Sequence, residues 1–157
     1  MNVGAWLVWG FVGTVVLTSL MMGSQGAGIT RMNIPYMLGT MFTANRDRAK
    51  VIGAVTHFMM GWLFSLVYVM AFQQLGRATW WFGALTGVVQ AGFVLTAGMA
   101  LLPSLHPRMA TELQGPTVVT QLEPPGFLAL NYGYRTPLSV VIAHMVFGGL
   151  LGAFYPL

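Results

Sequence analysis

Cysteine is absent from this 157-residue chain, so no disulfide, thiolate metal site or iron–sulfur cluster can be built from it. Acid is nearly absent as well: Asp47, Glu112 and Glu123 stand against seven lysines and arginines. Charged residues of both signs make up only 6 % of the chain, while 56 % is hydrophobic. A domain of this size with so few charges could not hold itself in water, and the composition reads as an integral membrane protein whose first partner is the lipid bilayer. The net charge of +4 reflects the shortage of acid. It does not describe a nucleic-acid surface, and no nucleic acid is expected as a partner.

The apolar stretches lack carboxylates altogether. Asp47, Glu112 and Glu123 all fall between stretches, whereas proton- and cation-coupled transporters usually keep an acid within a span. A Ser/His/Asp set, a His-Glu-x-x-His and a phosphate-cradling glycine loop are missing too, which leaves hydrolase and kinase chemistry without residues to carry it.

What is present is length and hydrophobicity. Four apolar stretches, at about 3–23, 51–73, 79–102 and 138–156, each reach the roughly 20 helical residues that cross a hydrocarbon core. They are continuous runs, not period-two alternations, which argues against a barrel. The expected fold is all-α: four transmembrane helices in one domain. Residues 1–10 hold no Lys or Arg and no Ala-x-Ala-like site follows Met22, so the first stretch reads as a retained helix, not a secretion signal. Arg31, Arg46, Arg48, Lys50, Arg108 and Arg135 fall in the first and third loops, and only Arg77 falls in the second. The positive-inside rule then makes loops 24–50 and 103–137 cytoplasmic and both termini periplasmic or exterior, in a bacterial inner (plasma) membrane.

Two histidines recur at the same place in one pattern. His57-x-x-x-Gly61-x-x-x-Ser65-x-x-Tyr68 returns as His144-x-x-x-Gly148-x-x-x-Gly152-x-x-Tyr155, at an offset of 87 that also pairs Gly39 with Gly126 and Arg48 with Arg135. Upstream, an offset of 77 pairs Gly10 with Gly87 and Arg31 with Arg108. The chain thus reads as a tandem duplicated helical hairpin, 1–76 and 77–157, the copies related by a pseudo-twofold axis along the membrane normal. Helices two and four would run parallel, with His57 and His144 at one depth.

An intramembrane ionisable residue is a functional-site hypothesis by default. Should helices two and four lie diagonally, the imidazoles would face each other across the bundle core, where bundles build cofactor sites. A haem b held by His57 and His144 fits that pattern, with Gly61 and Gly148 leaving room for the macrocycle and Arg48 and Arg135 neutralising propionates. The pair could equally hold a quinone or a metal such as copper. Twelve methionines are present and thioethers suit Cu(I), yet no methionine series shares a helix face with either histidine. The remaining reading is structural: each histidine bonds a hydroxyl or carbonyl of a neighbouring helix, with Thr14, Thr18, Ser19, Gln90 and Thr96 as candidates.

Small-x-x-x-small spacings at Gly83/Gly87, Gly148/Gly152, Gly10/Thr14/Thr18 and Gly61/Ser65 predict close helix packing within the chain. Trp6, Trp9, Trp80, Trp81 and Tyr155 fall at span ends and read as an interfacial belt. Residues 32–42 are apolar, short of a full span, and read as a segment lying on the bilayer surface. The second long loop carries Pro107, Pro116, Pro124, Pro125 and Pro137 and should be largely extended, turning at Pro124-Pro125-Gly126, with Gly126–Tyr132 as a short interfacial counterpart. His106 reads as a solvated loop residue.

The ending of the last stretch, His144-x-x-x-Gly148-x-x-x-Gly152, resembles that of several small, uncharacterised bacterial four-helix inner-membrane protein families. The resemblance spans about fifteen residues, implies that membrane fold and implies no activity. The leading expectation is a non-enzymatic accessory or structural subunit of a larger membrane complex, with other membrane subunits as partners. The alternatives are a cytochrome b-like electron-transfer subunit and a small-molecule or metal transporter.

Overall fold

Asn2 begins the first helix by accepting the Ala5 N–H on its side-chain oxygen at 3.0 Å, satisfying a donor the helix leaves open. In the computed structural model, which describes residues 1–157, helix α1 runs Val3–Gly26 and stops before Gly28, whose φ of 71° leaves the helical region. Asn33 caps a short helix α2, Ile34–Thr40, and Asn45 caps α3, Arg46–Gln74, with Asp47 in its first turn. Helix α4, Trp80–Leu105, is α-helical to Phe93, opens into a π-turn over Val94–Gly98 and resumes at Met99. A 3₁₀ segment, Phe127–Tyr132, precedes α5, Thr136–Phe154.

The structure is all-helical, and α1, α3, α4 and α5 are long and apolar enough to cross a membrane. Observed and expected spans agree, with α3 starting five residues earlier than expected because Asn45 caps it. Around the bundle α3 packs on α1, α1 on α5 and α5 on α4, while α3 and α4 barely approach each other. Helices α3 and α5, which carry the histidines, are therefore diagonal.

Without a hydrophobic force between helices in lipid, their approach depends on small residues. A Cβ added at Gly83 would collide with the Gly148 carbonyl, and one at Gly148 with the Gly83 carbonyl. Gly87 likewise receives the His144 carbonyl and Gly152 that of Thr79, so α4 and α5 meet backbone to backbone. Gly61 meets the Thr14 side chain, and Gly10 meets Ser65 and Trp62. All these small-residue pairs are spent inside the chain. The positions that the offset of 77 pairs do not share a contact: Gly10 meets the Ser65 and Trp62 side chains, and Gly87 the His144 carbonyl. Nor do Gly39 and Gly126 match in role. Gly39 lies in α2 pressed on the Ala49 backbone, whereas Gly126 sits at φ 70° before the 3₁₀ segment.

Three expectations are corrected. Residues 34–40 do not lie free on a surface: α2 packs on α3, Gly53 receiving the Pro35 carbonyl, and Met37 and Thr40 are buried. His106 is 3 % exposed, not solvated. Of the aromatic belt only Trp80 and Trp81 face outward; Trp6 donates to Ser65 Oγ at 2.9 Å, Trp9 stacks on Phe154 at 4.6 Å, and the buried Tyr155 hydroxyl accepts the Asn2 N–H. Aromatic side chains with one polar atom serve the interior equally well once a partner is in reach.

The two long loops interlock into a cap. Imidazole Nδ1 of His106 accepts the Arg108 N–H at 3.1 Å, so Nε2 carries the proton and donates to the Met37 carbonyl at 2.9 Å, next to Thr40 Oγ1. Arg108 donates to the Thr40 carbonyl at 2.7 Å, covering the end of α2. Across the cap Arg31 pairs with Glu123 at 2.9 Å and also donates to the Asn131 carbonyl, and the Thr30 and Thr136 hydroxyls bond at 2.7 Å. Leu128 and Ala129 both hold positive φ, 52° and 60°, inside this cap, a conformation that costs about 1–3 kcal/mol per residue and persists only where surroundings impose it.

Candidate functional site

The site begins with one imidazole. Nδ1 of His144 lies 2.8 Å from the Val140 carbonyl one turn back. A carbonyl only accepts, so Nδ1 carries a proton, and in the uncharged ring Nε2 is left with a lone pair and no protein partner. The backbone at this point is clamped, because the His144 carbonyl sits in the notch of Gly87. From the diagonal helix His57 lines the same cavity. Its ring has no hydrogen bond within the protein; of the five groups expected to reach a histidine, Ser19 is exposed and the other four bond elsewhere. Thr14 donates to Gly10, Thr18 to Thr14 and Thr96 to Gly92, each along its own helix, while Gln90 accepts from the Tyr68 hydroxyl at 2.5 Å.

The cavity measures about 210 Å³ and takes its walls from all four spans and from α2. Leu17, Phe64, Val94, Val140 and Phe147 make it apolar. The Tyr68–Gln90 bond and the edge-on Tyr68–Phe147 pair, 5.4 Å between centroids, close it toward the chain termini. Toward the cap Met32, Ile34 and Met37 close it. Six of the twelve methionines, Met21, Met22, Met32, Met37, Met60 and Met99, contribute to the wall. They come from four different helices and the loop before α2, which is why no single helix face revealed them. A soft, unbranched side chain adapts to an irregular space.

The structure brings His57, His144 and Gly61 to the cavity and leaves Gly148, Arg48 and Arg135 outside it. The residues expected around a haem are thus only partly brought together. The notches at Gly61 and Gly148 are filled by Thr14 and by Gly83 with Tyr68, so neither opens a slot for a macrocycle. Arg48 and Arg135 are exposed, the latter with its guanidinium 5.0 Å over the Tyr134 ring. At about 210 Å³ the space is smaller than the roughly 300–1,000 Å³ of pockets that enclose drug-sized ligands. As for a metal, no group of three or more His, Cys, Asp or Glu side chains comes together. His57 and His144 remain two potential ligands short of a closed site.

Two features of the site were not anticipated from the sequence. One is the Tyr68–Gln90 bond, since the repeat marked Tyr68 only as a motif position. The other is the π-turn Val94–Gly98, two of whose residues, Val94 and Gly98, line the cavity. Gly92, Gly98 and Pro103 within one span were its available signal, because glycine and proline weaken the regular helical ladder. No family model matches the chain, and neither a curated protein nor a solved structure does.

Proposed function

We propose that this chain is a non-enzymatic, multi-pass membrane protein that binds a lipophilic small molecule between its helices. The observation that carries the reading is the apolar cavity shared by four spans, into which two imidazoles without interhelical partners are turned. An apolar cavity of about 150 Å³ already takes up a benzene molecule, so about 210 Å³ accommodates one ring with substituents. Electron transfer through a bis-histidine haem loses its support with the filled glycine notches. The charge asymmetry of the loops supports placing the cap in the cytoplasm, and the recurrence of the histidine pattern supports a duplicated hairpin.

The accessory-subunit role draws on a separate feature. Leu113, Val118 and Val119 stand 98 %, 90 % and 67 % exposed on the cap, and a cluster of exposed apolar side chains beside a membrane is where a companion chain docks. Native mass measurement from mild detergent tests both parts. The expected spectrum shows a small-molecule adduct on the wild type that is lost in Thr18→Phe, which places a ring in the cavity. A bare, companion-free chain whose affinity for an added apolar dye is the same with and without Thr18→Phe overturns the reading.

A further inference from the structure

Building on the binding reading, we infer that the cavity selects a hydroxyl-bearing single-ring lipophile, a quinol in preference to its quinone, and admits it sideways from the bilayer between α3 and α4.

The selectivity follows from the direction of one hydrogen bond. With Nδ1–H committed to the Val140 carbonyl, uncharged His144 offers only a lone pair at Nε2. A ligand that donates a hydroxyl hydrogen satisfies that atom; a carbonyl or an ether confronts it with another lone pair. Covering a polar atom without a partner costs about 1–3 kcal/mol. A carbonyl-bound ring nitrogen is also the arrangement by which proteins hold an imidazole's tautomer and orientation for the group on its other nitrogen. Nothing in the protein holds the proton of His57, so that ring can accept from a second hydroxyl across the cavity or donate to an oxygen. The remaining wall is mostly apolar; of its other polar members Thr14 and Thr18 donate along α1, Asn33 donates to Gln25, and the Gln90 oxygen is occupied by the Tyr68 hydroxyl.

The route follows from the packing. Helices α3 and α4 are joined toward the chain termini by Tyr68–Gln90 and by the Phe72–Phe82 ring pair at 5.8 Å. Toward the cap they separate, and the cavity is bordered there by Met60 of α3 and Phe93 of α4, 37 % and 55 % exposed. This stretch of α4 contains the π-turn between Gly92 and Gly98, glycines whose missing side chains leave no close neighbour. Helices α4 and α5 are sealed by their glycines, and α2 with the cap covers the end. Between α3 and α4 few backbone contacts close the wall and Phe93 there is 55 % exposed, so entry is assigned to this side. A ring can seat at the histidines while an isoprenoid or alkyl tail stays in the bilayer, so the small cavity suffices.

The experiment measures binding of three probes to the full chain in lipid nanodiscs: a short-tailed benzoquinol kept reduced, the matching quinone, and the quinol dimethyl ether. The quinol is expected to bind about tenfold more tightly than the other two, the equivalent of one satisfied acceptor. His144→Leu should abolish that preference and His144→Gln, which retains an acceptor, should restore part of it. Equal binding of all three probes to the wild type, with the shared affinity lost in Thr18→Phe, overturns the donor selectivity and leaves the cavity reading standing. Binding of every probe unaffected by Thr18→Phe overturns both. The wild-type ratio decides the selectivity even if a histidine variant fails to fold. For the route, Phe93→Ala should speed association and Phe93→Trp slow it, at an unchanged quinol preference; association rates indifferent to both substitutions overturn lateral access.

Discussion

Two contacts of α4 could hardly differ more. Against α5 it presents Gly83 and Gly87, and the backbones meet so closely that carbonyls of one helix occupy the missing side chains of the other. Against α3 it presents Phe93 and Val94, and the helices stand apart around a cavity. Both faces are apolar, so hydrophobicity does not separate them. Side-chain size does: in lipid, where burying apolar surface against another helix gains little over burying it against acyl chains, packing contact is what holds helices together. Glycine by itself does not make a seam, however. Gly92 and Gly98 have as little side chain as Gly83, yet a methyl group at Gly92 meets nothing and one at Gly98 only its own helix at 3.9–4.0 Å.

That contrast can be broken most forcefully at the seam. Gly148→Ala forces a methyl group into the Gly83 carbonyl and the Tyr68 ring, and backbone cannot swing aside as a side chain can. A loss of at least about 1–3 kcal/mol is expected, read as a lowered unfolding midpoint in detergent. Gly149→Ala, one residue away with ordinary 3.7 Å contact to the Trp80 carbonyl, should leave the midpoint almost unchanged. Equal effects from the two would remove the seam from the account.

The next effect is expected in the cap that roofs the cavity. His106→Ala strands the Arg108 N–H and removes the tether to Met37, at about 1–3 kcal/mol for a buried group left unpaired. Hydrogen exchange should rise in residues 34–41 and 106–110 and remain slow along the α4–α5 seam. Exchange that rises equally in both would mean the two regions are one cooperative unit.

A smaller change comes with alkali. Burial, helped by the Glu123 carboxylate and opposed by Arg31, pushes the Tyr132 hydroxyl up from 10.0 to about 12, and that hydroxyl donates to the Glu123 carbonyl at 2.6 Å. The unfolded chain gives up this proton near pH 10, while the folded chain keeps it to about 12. Folding therefore holds more protons in that window, and stability must fall as pH rises through it. Tyr132→Phe should flatten the decline between pH 10 and 12 in the unfolding midpoint; an unchanged slope would assign the decline to other groups. Smallest of all is Gly92→Ala. The added methyl meets no neighbour, and alanine favours a helix by up to about 1 kcal/mol over glycine, so the midpoint should hold or rise slightly.

Much of the fold was legible in the chain because the bilayer enforces it. Long apolar runs have one means of satisfying their backbones in lipid, whereas the Asn45 cap, which starts α3 five residues ahead of the expected span, was not read from the sequence. The repeat left open whether the helices of His57 and His144 are diagonal, which the packing order decides. Nor could the repeat foretell the surroundings of the two rings. Gly61 and Gly148 look like vacancies in sequence, yet each is filled by another helix, and spacing along one helix cannot say whether a ligand or a neighbour occupies the gap. The methionine wall escaped notice for a related reason, since its members come from four helices and a loop. His106 looked solvated because loops generally are; two loops lying on each other buried it.

By itself, then, the sequence determined the number of spans, the uneven distribution of charge and the presence of two histidines within the apolar segments. These follow from local chemistry: the length of a run and the cost of a charge in lipid. The tertiary structure alone decided which glycines became seams and which stayed open, that α3 and α4 part around a cavity, and that His144 turns its free nitrogen away from every protein donor. Those outcomes depend on what stands opposite each residue, and the facing residue belongs to another helix.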